Sequence, residues 1–466
     1  MTTPTRTERD LLGELTVPAE AYYGVHTRRA MANFPISGLP LRTHPELVVA
    51  LARVKQAAAL ANHDVGLLPG DKTSAIVAAC EDIVAGELHD QFTVDVIQGG
   101  AGTSSNMNVN EVVTNRALEH LGHARGDYAR LHPIDDVNLG QSTNDVYPTA
   151  VKLAVHAAAT ELLDAMAELR GALHAKGREF ADVVKIGRTQ LQDAVPMTLG
   201  QEFTAFAVTL GEDEQRLAEA LTLLDEINLG GTAIGTGLNA HPDYARHACA
   251  HLARLTGRPL VTATDLVEAT ADVGVFVQVS GVLKRVAVKL SKTCNDLRLL
   301  SSGPQAGFNE IRLPKAQAGS SIMPGKVNPV IPEVVNQIAF EVIGNDTTVT
   351  LAAEAGQLQL NAFEPIIAHS LLKSLHHLRT GVRTLARRCV TGITANTEYL
   401  RRQVHESIGL VTALNPVIGY EAASGLAKKA AATGRSIHAL VVDAGLLTAE
   451  QLDILLAPGL RPLADR

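Results

Sequence analysis

Apolar residues recur along the middle of the chain at the spacing of a helix face. Leu199, Phe203, Phe206 and Leu210 step by four, three and four, and Leu217, Leu221 and Leu224 continue that face. Val279, Leu283, Val286, Leu290, Cys294 and Leu297 repeat the pattern, as do Leu371, Leu375, Leu378, Val382, Leu385 and Cys389. Leu162, Met166, Leu169 and Leu173 give a shorter run of it. Alternating steps of three and four lay one apolar stripe along a helix, with a seam close to the 3.5-residue period of helices that pack side by side. The spacing predicts a bundle of long amphipathic helices over residues 144–395.

The flanking segments read differently. Residues 1–143 mix helical patches, such as VVALARVKQAAALANHDV from Val48, with loops, and residues 396–466 read as a small helical domain. No repeat, low-complexity tract or Pro/Gly/Ser linker separates them, so the three parts are expected to pack together. The expected fold is mainly α: an N-terminal domain (1–143), a central long-helix bundle (144–395) and a C-terminal helical domain (396–466). Leu and Val seams on several faces also favour packing against helices of other subunits.

Composition narrows the function classes. Hydrophobic residues make up 46% and aromatics only 3%, with no Trp, so the core must be built from Ala, Leu, Val and Ile. A net charge of −8 with dispersed Lys and Arg argues against a nucleic-acid surface. Cys80, Cys249, Cys294 and Cys389 lie far apart in apolar or helix-like stretches, which reads as buried free thiols. No run reaches the ~18 apolar residues of a membrane span, and MTTPTRTERDLL lacks a signal-peptide core. A cytoplasmic protein is expected.

Four polar loops interrupt this apolar chain: GGAGTSSNMNVNE (Gly99–Glu111), GQSTND (Gly140–Asp145), GRTQLQDAVPM (Gly187–Met197) and GSSIMPGKVNP (Gly319–Pro329). The first lacks the GK[ST] ending of a phosphate loop. GTSSN and QSTND read as helix starts capped by Ser, Thr or Asn, and a helix N-terminus with free N–H groups also suits a carboxylate. Together the loops offer Thr103, Ser104, Ser142, Thr143, Asn144, Thr189, Gln190, Ser320, Ser321, Lys326 and Asn328. Neutral donors with a single cation suit a small substrate bearing two carboxylates. No His falls in these loops, so they hold no Ser-His-Asp arrangement and no Cys/His metal spacing.

GSSIMPGKVNP resembles the signature loop of the fumarase/aspartase superfamily, whose members eliminate a leaving group from C4-dicarboxylate-like substrates to give fumarate. The likeness covers nearly the whole chain, through LLGELTVPAEAYYGVHT, DQFTVDVIQGGAGTS, NEVVTNRALE, GQSTND and the C-terminal SIGLVTALNP. GRTQLQDAVPMTLGQEF, NLGGTAIGTGLN, NPVIPEVVNQ and GNDTTVTLAAEAGQLQLN resemble the branch that releases ammonia. Fumarases typically read NPTQCEA where this chain has NPVIPEV (Asn328–Val334), and HPND where it has HPID (His132–Asp135). Gln190 stands where fumarases carry a His in GRTHLQDA. An imidazole shuttles a proton near neutral pH and a carboxamide cannot, so Gln190 argues against hydration.

The resemblance implies a set of roles. Ser320 would be the base, with Ser321, Thr103, Ser142 and Thr143 around the substrate's β-carboxylate. Lys326, Asn328 and Thr189 would hold the α-carboxylate, and Asn144, with Gln190, would orient the amino group. Gly319 and Gly325 would let the Ser320 loop close over the substrate. No cofactor is implied, with activation by a divalent cation left open. The implied assembly is a homotetramer whose active sites draw on more than one chain. The alternatives are a class II fumarate hydratase and a non-catalytic protein on the same fold, since crystallins belong to the superfamily; the presence of Ser320 and Lys326 speaks for an enzyme.

Overall fold

The computed structural model describes residues 4–319, 321–323 and 325–456. Every residue of the four predicted seams is buried, none more than 7% exposed. Those seams lie in the helices Thr143–Glu179, Leu199–Leu221, Gly274–Leu300 and Glu364–Arg388; Leu224 and Cys389 fall just past two helix ends. A fifth long helix, Val330–Glu354, is built on Val335, Ala339, Val342 and Val349. These five run from 23 to 37 residues, two or three times the usual helix length. The fold is mainly α, as the seams require. Cys80, Cys249, Cys294 and Cys389 are free and buried, and no helix among the described residues is long and apolar enough to cross a membrane.

The chain divides into two compact units, each assembled from separated stretches. The first takes residues 1–163, 215–285 and 340–377. It holds the helices Pro45–Asp64, Gly70–Val84, Thr103–His120 and Tyr244–Thr256 and the hairpin Thr5–Asp10/Gly13–Pro18. Pro45–Asp64 packs on Gly70–Val84, Thr103–His120 and Tyr244–Thr256, through the small buried faces of Ala52, Ala58, Ala59 and Ala61. Such faces let helix axes approach closely, which is how the core of a chain with 3% aromatics fills its volume.

The second unit takes residues 164–214, 286–339 and 378–466. Its short C-terminal helices, Thr397–Glu406 through Ala449–Leu456, bury Val404, Leu410, Leu414, Leu426, Leu440 and Leu452 in one cluster. Ile186 joins that cluster from the antiparallel hairpin Val184–Thr189/Gln192–Thr198. Anchored there by its inner face, the hairpin carries GRTQ out to its turn.

Candidate active site

In the first unit, the loop ahead of the Thr143–Glu179 helix is a reciprocal cap. Ser142 Oγ accepts the backbone N–H of Asn144 at 3.2 Å, and Asp145 Oδ1 accepts that of Ser142 at 2.9 Å. The second oxygen of Asp145 accepts the backbone N–H groups of Gly230 and Thr232, each at 3.0 Å. Burial pushes the Asp145 carboxyl up to about 6 against the pull of these bonds. Pro148 has no N–H to give the Asn144 carbonyl four residues earlier. The Asn228 side chain supplies that donor instead, at 3.0 Å. The loop after Ile227 therefore wraps the helix start and holds it in place.

This scaffold decides what the side chains can offer a ligand. The Asn144 amide donates to the Ala233 carbonyl at 2.7 Å, which leaves its Oδ1 as an acceptor, the polarity an ammonium needs. Thr143 Oγ1 accepts from the Asn106 amide at 3.2 Å, and Ser142 Oγ already accepts from the backbone. Both hydroxyl protons remain to be given to a carboxylate. Behind them, Asn138 Oδ1 gathers Lys55, Asn106 and Asn110 at 2.9, 3.2 and 3.1 Å. Lys55 also donates to Gln141 Oε1 at 2.9 Å. It is wholly buried, and that burial pulls its ammonium down to about 7.

Thr103 opens the Thr103–His120 helix, and here the structure corrects the capping expectation. The cap residue is Gly102, with no side-chain cap bond, while Thr103 Oγ1 donates back to the Gly100 carbonyl at 2.7 Å. Gly102 has a φ of +92°, and a Cβ there would lie 2.5 Å from the Tyr147 ring. Only glycine fits that approach, so Ser104 and Thr103 are freed from capping. Asn106, one turn along, ties this helix start to Thr143.

In the second unit, Thr189 and Gln190 are exposed at the tip of the hairpin. Gln190 and Leu191 both have positive φ, 52° and 63°, the two-residue turn that matches strand twist but usually takes Asn or Gly. Below the tip, the fully buried Glu310 meets Arg188 and Lys185. Lys185 Nζ is 2.6 Å from Glu310 Oε2 in a charge contact too oblique for a hydrogen bond, and it bonds Glu202 at 2.7 Å. Arg188 stacks over Phe308, 4.2 Å from the ring centre. The ions fix the base of a strained turn.

The GSSIMPGKVNP loop is pinned at its base. Gly319 N–H donates to the Lys326 carbonyl at 2.9 Å, and the Asn328 amide to the Gly319 carbonyl at 2.7 Å. Lys326 and Asn328 line a cavity of about 670 Å³ together with Arg298, Arg312 and Lys315. Such a wall favours an anion. Ser321 is exposed, and Ser320, expected to be the base, lies outside the described residues.

The candidates thus fall into two sets. Thr103, Ser142, Thr143 and Asn144 belong to the first unit, where Asn106 draws them together; Thr189, Gln190, Ser321, Lys326 and Asn328 belong to the second. Lys326 and Asn328 share a cavity that Thr189 and Gln190 do not line. Sequence reasoning missed Lys55 and Asn138, which lie outside the four polar loops, and passed over Asn106 and Asn228, which lie inside quoted stretches but have nothing local to set them apart from their neighbours. Arg188 and Glu310 escaped it too, 122 residues apart.

The family model described as Lyase matches residues 13–344, and one described as Fumarase C C-terminus matches residues 410–460. The chain belongs to the fumarase/aspartase superfamily. Among superfamily relatives, an aspartate ammonia-lyase of Pseudomonas aeruginosa is 60% identical over 98% of both chains. One from Escherichia coli K12 is 55% identical over 96% of this chain and 94% of its own. A solved structure titled fumarate lyase:delta crystallin from Brucella melitensis bound to cobalt superposes with a TM-score of 0.95 at 58% identity, covering 97% of this chain and 98% of that one. A class II fumarase from Schistosoma mansoni gives a TM-score of 0.90 at 35% identity, over 98% of both chains.

Proposed function

We propose that this chain is an aspartate ammonia-lyase, a carbon–nitrogen lyase that deaminates L-aspartate reversibly to fumarate and ammonia. The observation that carries the reading is near-full-length identity of 60% and 55% to aspartate ammonia-lyases, against 35% to a fumarase. Gln190 supports it chemically, since water removal needs a proton shuttle there and ammonia leaves as a stable amine.

In the proposed mechanism, Ser320, as its alkoxide, takes the proton from the carbon beside the β-carboxylate. The electron pair moves into that carboxylate to give an aci-carboxylate with extra negative charge. Donors from Ser142, Thr143 and Ser321 stabilise it, joined by Thr103 as its hydroxyl turns from the Gly100 carbonyl to the substrate. The pair then returns to form the carbon–carbon double bond as the C–N bond breaks and ammonia departs. Lys326, Asn328 and Thr189 hold the α-carboxylate, and the acceptor oxygen of Asn144, with Gln190 nearby, receives the amino group. No organic cofactor takes part. The decisive assay follows the absorbance of fumarate formed from L-aspartate beside L-malate. Rapid turnover of aspartate with little of malate is expected; equal or faster turnover of malate would sink the assignment.

The proposed assembly is a cytoplasmic homotetramer with sites built from more than one chain. Phe340 and Leu351, both 63% exposed on the Val330–Glu354 helix, supply apolar surface for a neighbouring copy. Co-refolding an inactive Ser320→Ala protein with an inactive Thr103→Ala protein should restore activity, because some hybrid sites would be fully wild type. No recovery in proven mixed tetramers would mean that both residues act from one chain.

A further inference from the structure

Two histidines one helical turn apart face a carboxylate on a neighbouring helix of the first unit. His247 and His251 lie on the Tyr244–Thr256 helix, and Asp64 is the last residue of Pro45–Asp64. His251 Nε2 is 2.7 Å and His247 Nδ1 3.1 Å from the same oxygen, Asp64 Oδ2. None of the three belongs to the four polar loops. Asp64 is exposed while His251 is only 9% exposed, so the cluster is walled on one side and open on the other.

The far nitrogens fix where the ring protons sit. Arg246 Nη2 approaches His247 Nε2, and Arg254 Nη2 approaches His251 Nδ1. A guanidinium only donates, so each neutral ring accepts there and turns its own N–H toward Asp64. Two N–H groups therefore converge on one carboxylate oxygen. Asp64 is also badly placed for a lone anion, since a helix C-terminus carries partial negative charge and disfavours a carboxylate. In the metal-free protein these two N–H groups serve as the partners of the Asp64 carboxylate, and they hold three potential ligand atoms together on one spot.

We propose that Asp64, His247 and His251 bind a divalent transition-metal ion such as Zn²⁺, Co²⁺ or Ni²⁺. Metal bonds of about 2.1 Å put neighbouring ligand atoms about 3.0–3.4 Å apart. Two of the three pairs already stand at 2.7 and 3.1 Å, and all three ligand atoms lie within 4.8 Å of one another. On binding, each ring proton moves to the far nitrogen as Arg246 and Arg254, both exposed, turn away to solvent. Two imidazoles and one carboxylate favour these ions over Mg²⁺ or Ca²⁺, which take oxygen ligands. Remaining positions on the ion face solvent.

The test is a Co²⁺ titration of tag-free, metal-stripped full-length protein, read by visible absorbance and by metal analysis after dialysis. One Co²⁺ per chain is expected, displaced by Zn²⁺ but not by a large excess of Mg²⁺. Asp64→Asn and His247→Ala should each weaken Co²⁺ binding by about ten-fold or more. Their side chains are 36% and 28% exposed, so both variants should fold, as circular dichroism would show. Uptake well below one ion per chain, displacement by Mg²⁺, or unchanged affinity in both variants would overturn the proposal.

Discussion

Ser320→Ala is expected to lower turnover of L-aspartate by about a thousand-fold, ~4 kcal/mol in the barrier, while leaving the fold and the binding of a dicarboxylate inhibitor intact. The base is the one group whose loss removes a bond-breaking step rather than a share of binding. A serine-to-alanine change in a polar loop bracketed by Gly and Pro removes one hydroxyl and no apolar group, so the fold is expected to survive it. The measurement pairs steady-state kinetics with inhibitor titration on the same preparation. Retention of more than about a tenth of wild-type turnover, under ~1.4 kcal/mol, would show that another group takes the proton.

Glu310→Ala is expected to cost about 3–5 kcal/mol of stability in the second unit. Glu310 is fully buried between Lys185, itself 2% exposed, and Arg188. Removing the carboxylate leaves the buried Lys185 with only Glu202 and the part-buried Arg188 with no carboxylate, and an unpaired buried charge costs far more than the pair contributes. The loss should show in denaturant unfolding. It should be joined by a higher KM for L-aspartate, because the same ions hold the base of the hairpin that presents Thr189 and Gln190. Glu310→Gln, which keeps the volume and one acceptor, should fall between variant and wild type. A cost of less than about 1 kcal/mol would mean that the hairpin is held by its apolar face alone.

Much of the fold was legible because the four seams are uninterrupted: Leu371 through Cys389 never place a polar residue on the stripe. The fifth long helix was not. Asp346 sits on its buried face, bonded to Ser280 at 2.8 Å and Lys284 at 2.6 Å. Phe340 and Leu351 meanwhile stand on its exposed side. A polar residue inside and apolar residues outside erase the periodicity that a sequence scan relies on. The candidate site was proposed from its loops, where polar groups gather against an apolar background. Its supports were not legible there, since Asn106, Asn138 and Lys55 acquire meaning only when three elements meet. Gly102 shows the same limit from the other side. Nothing local says that its Cα must touch Tyr147, so Thr103 and Ser104 looked like the caps.

The wrapping of the Thr143–Glu179 helix start has a consequence for the newborn chain. The bonds from Asn228, Gly230 and Thr232 reach back across 84, 85 and 87 residues. At about 5–20 residues per second, the ribosome takes roughly 4–17 s to deliver them after the GQSTND segment emerges. During that interval the carbonyl freed by Pro148 and one oxygen of Asp145 have only water for partners. A ribosome stalled just before residue 228 would hold a chain that already carries Ser142, Thr143 and Asn144, yet cannot aim them.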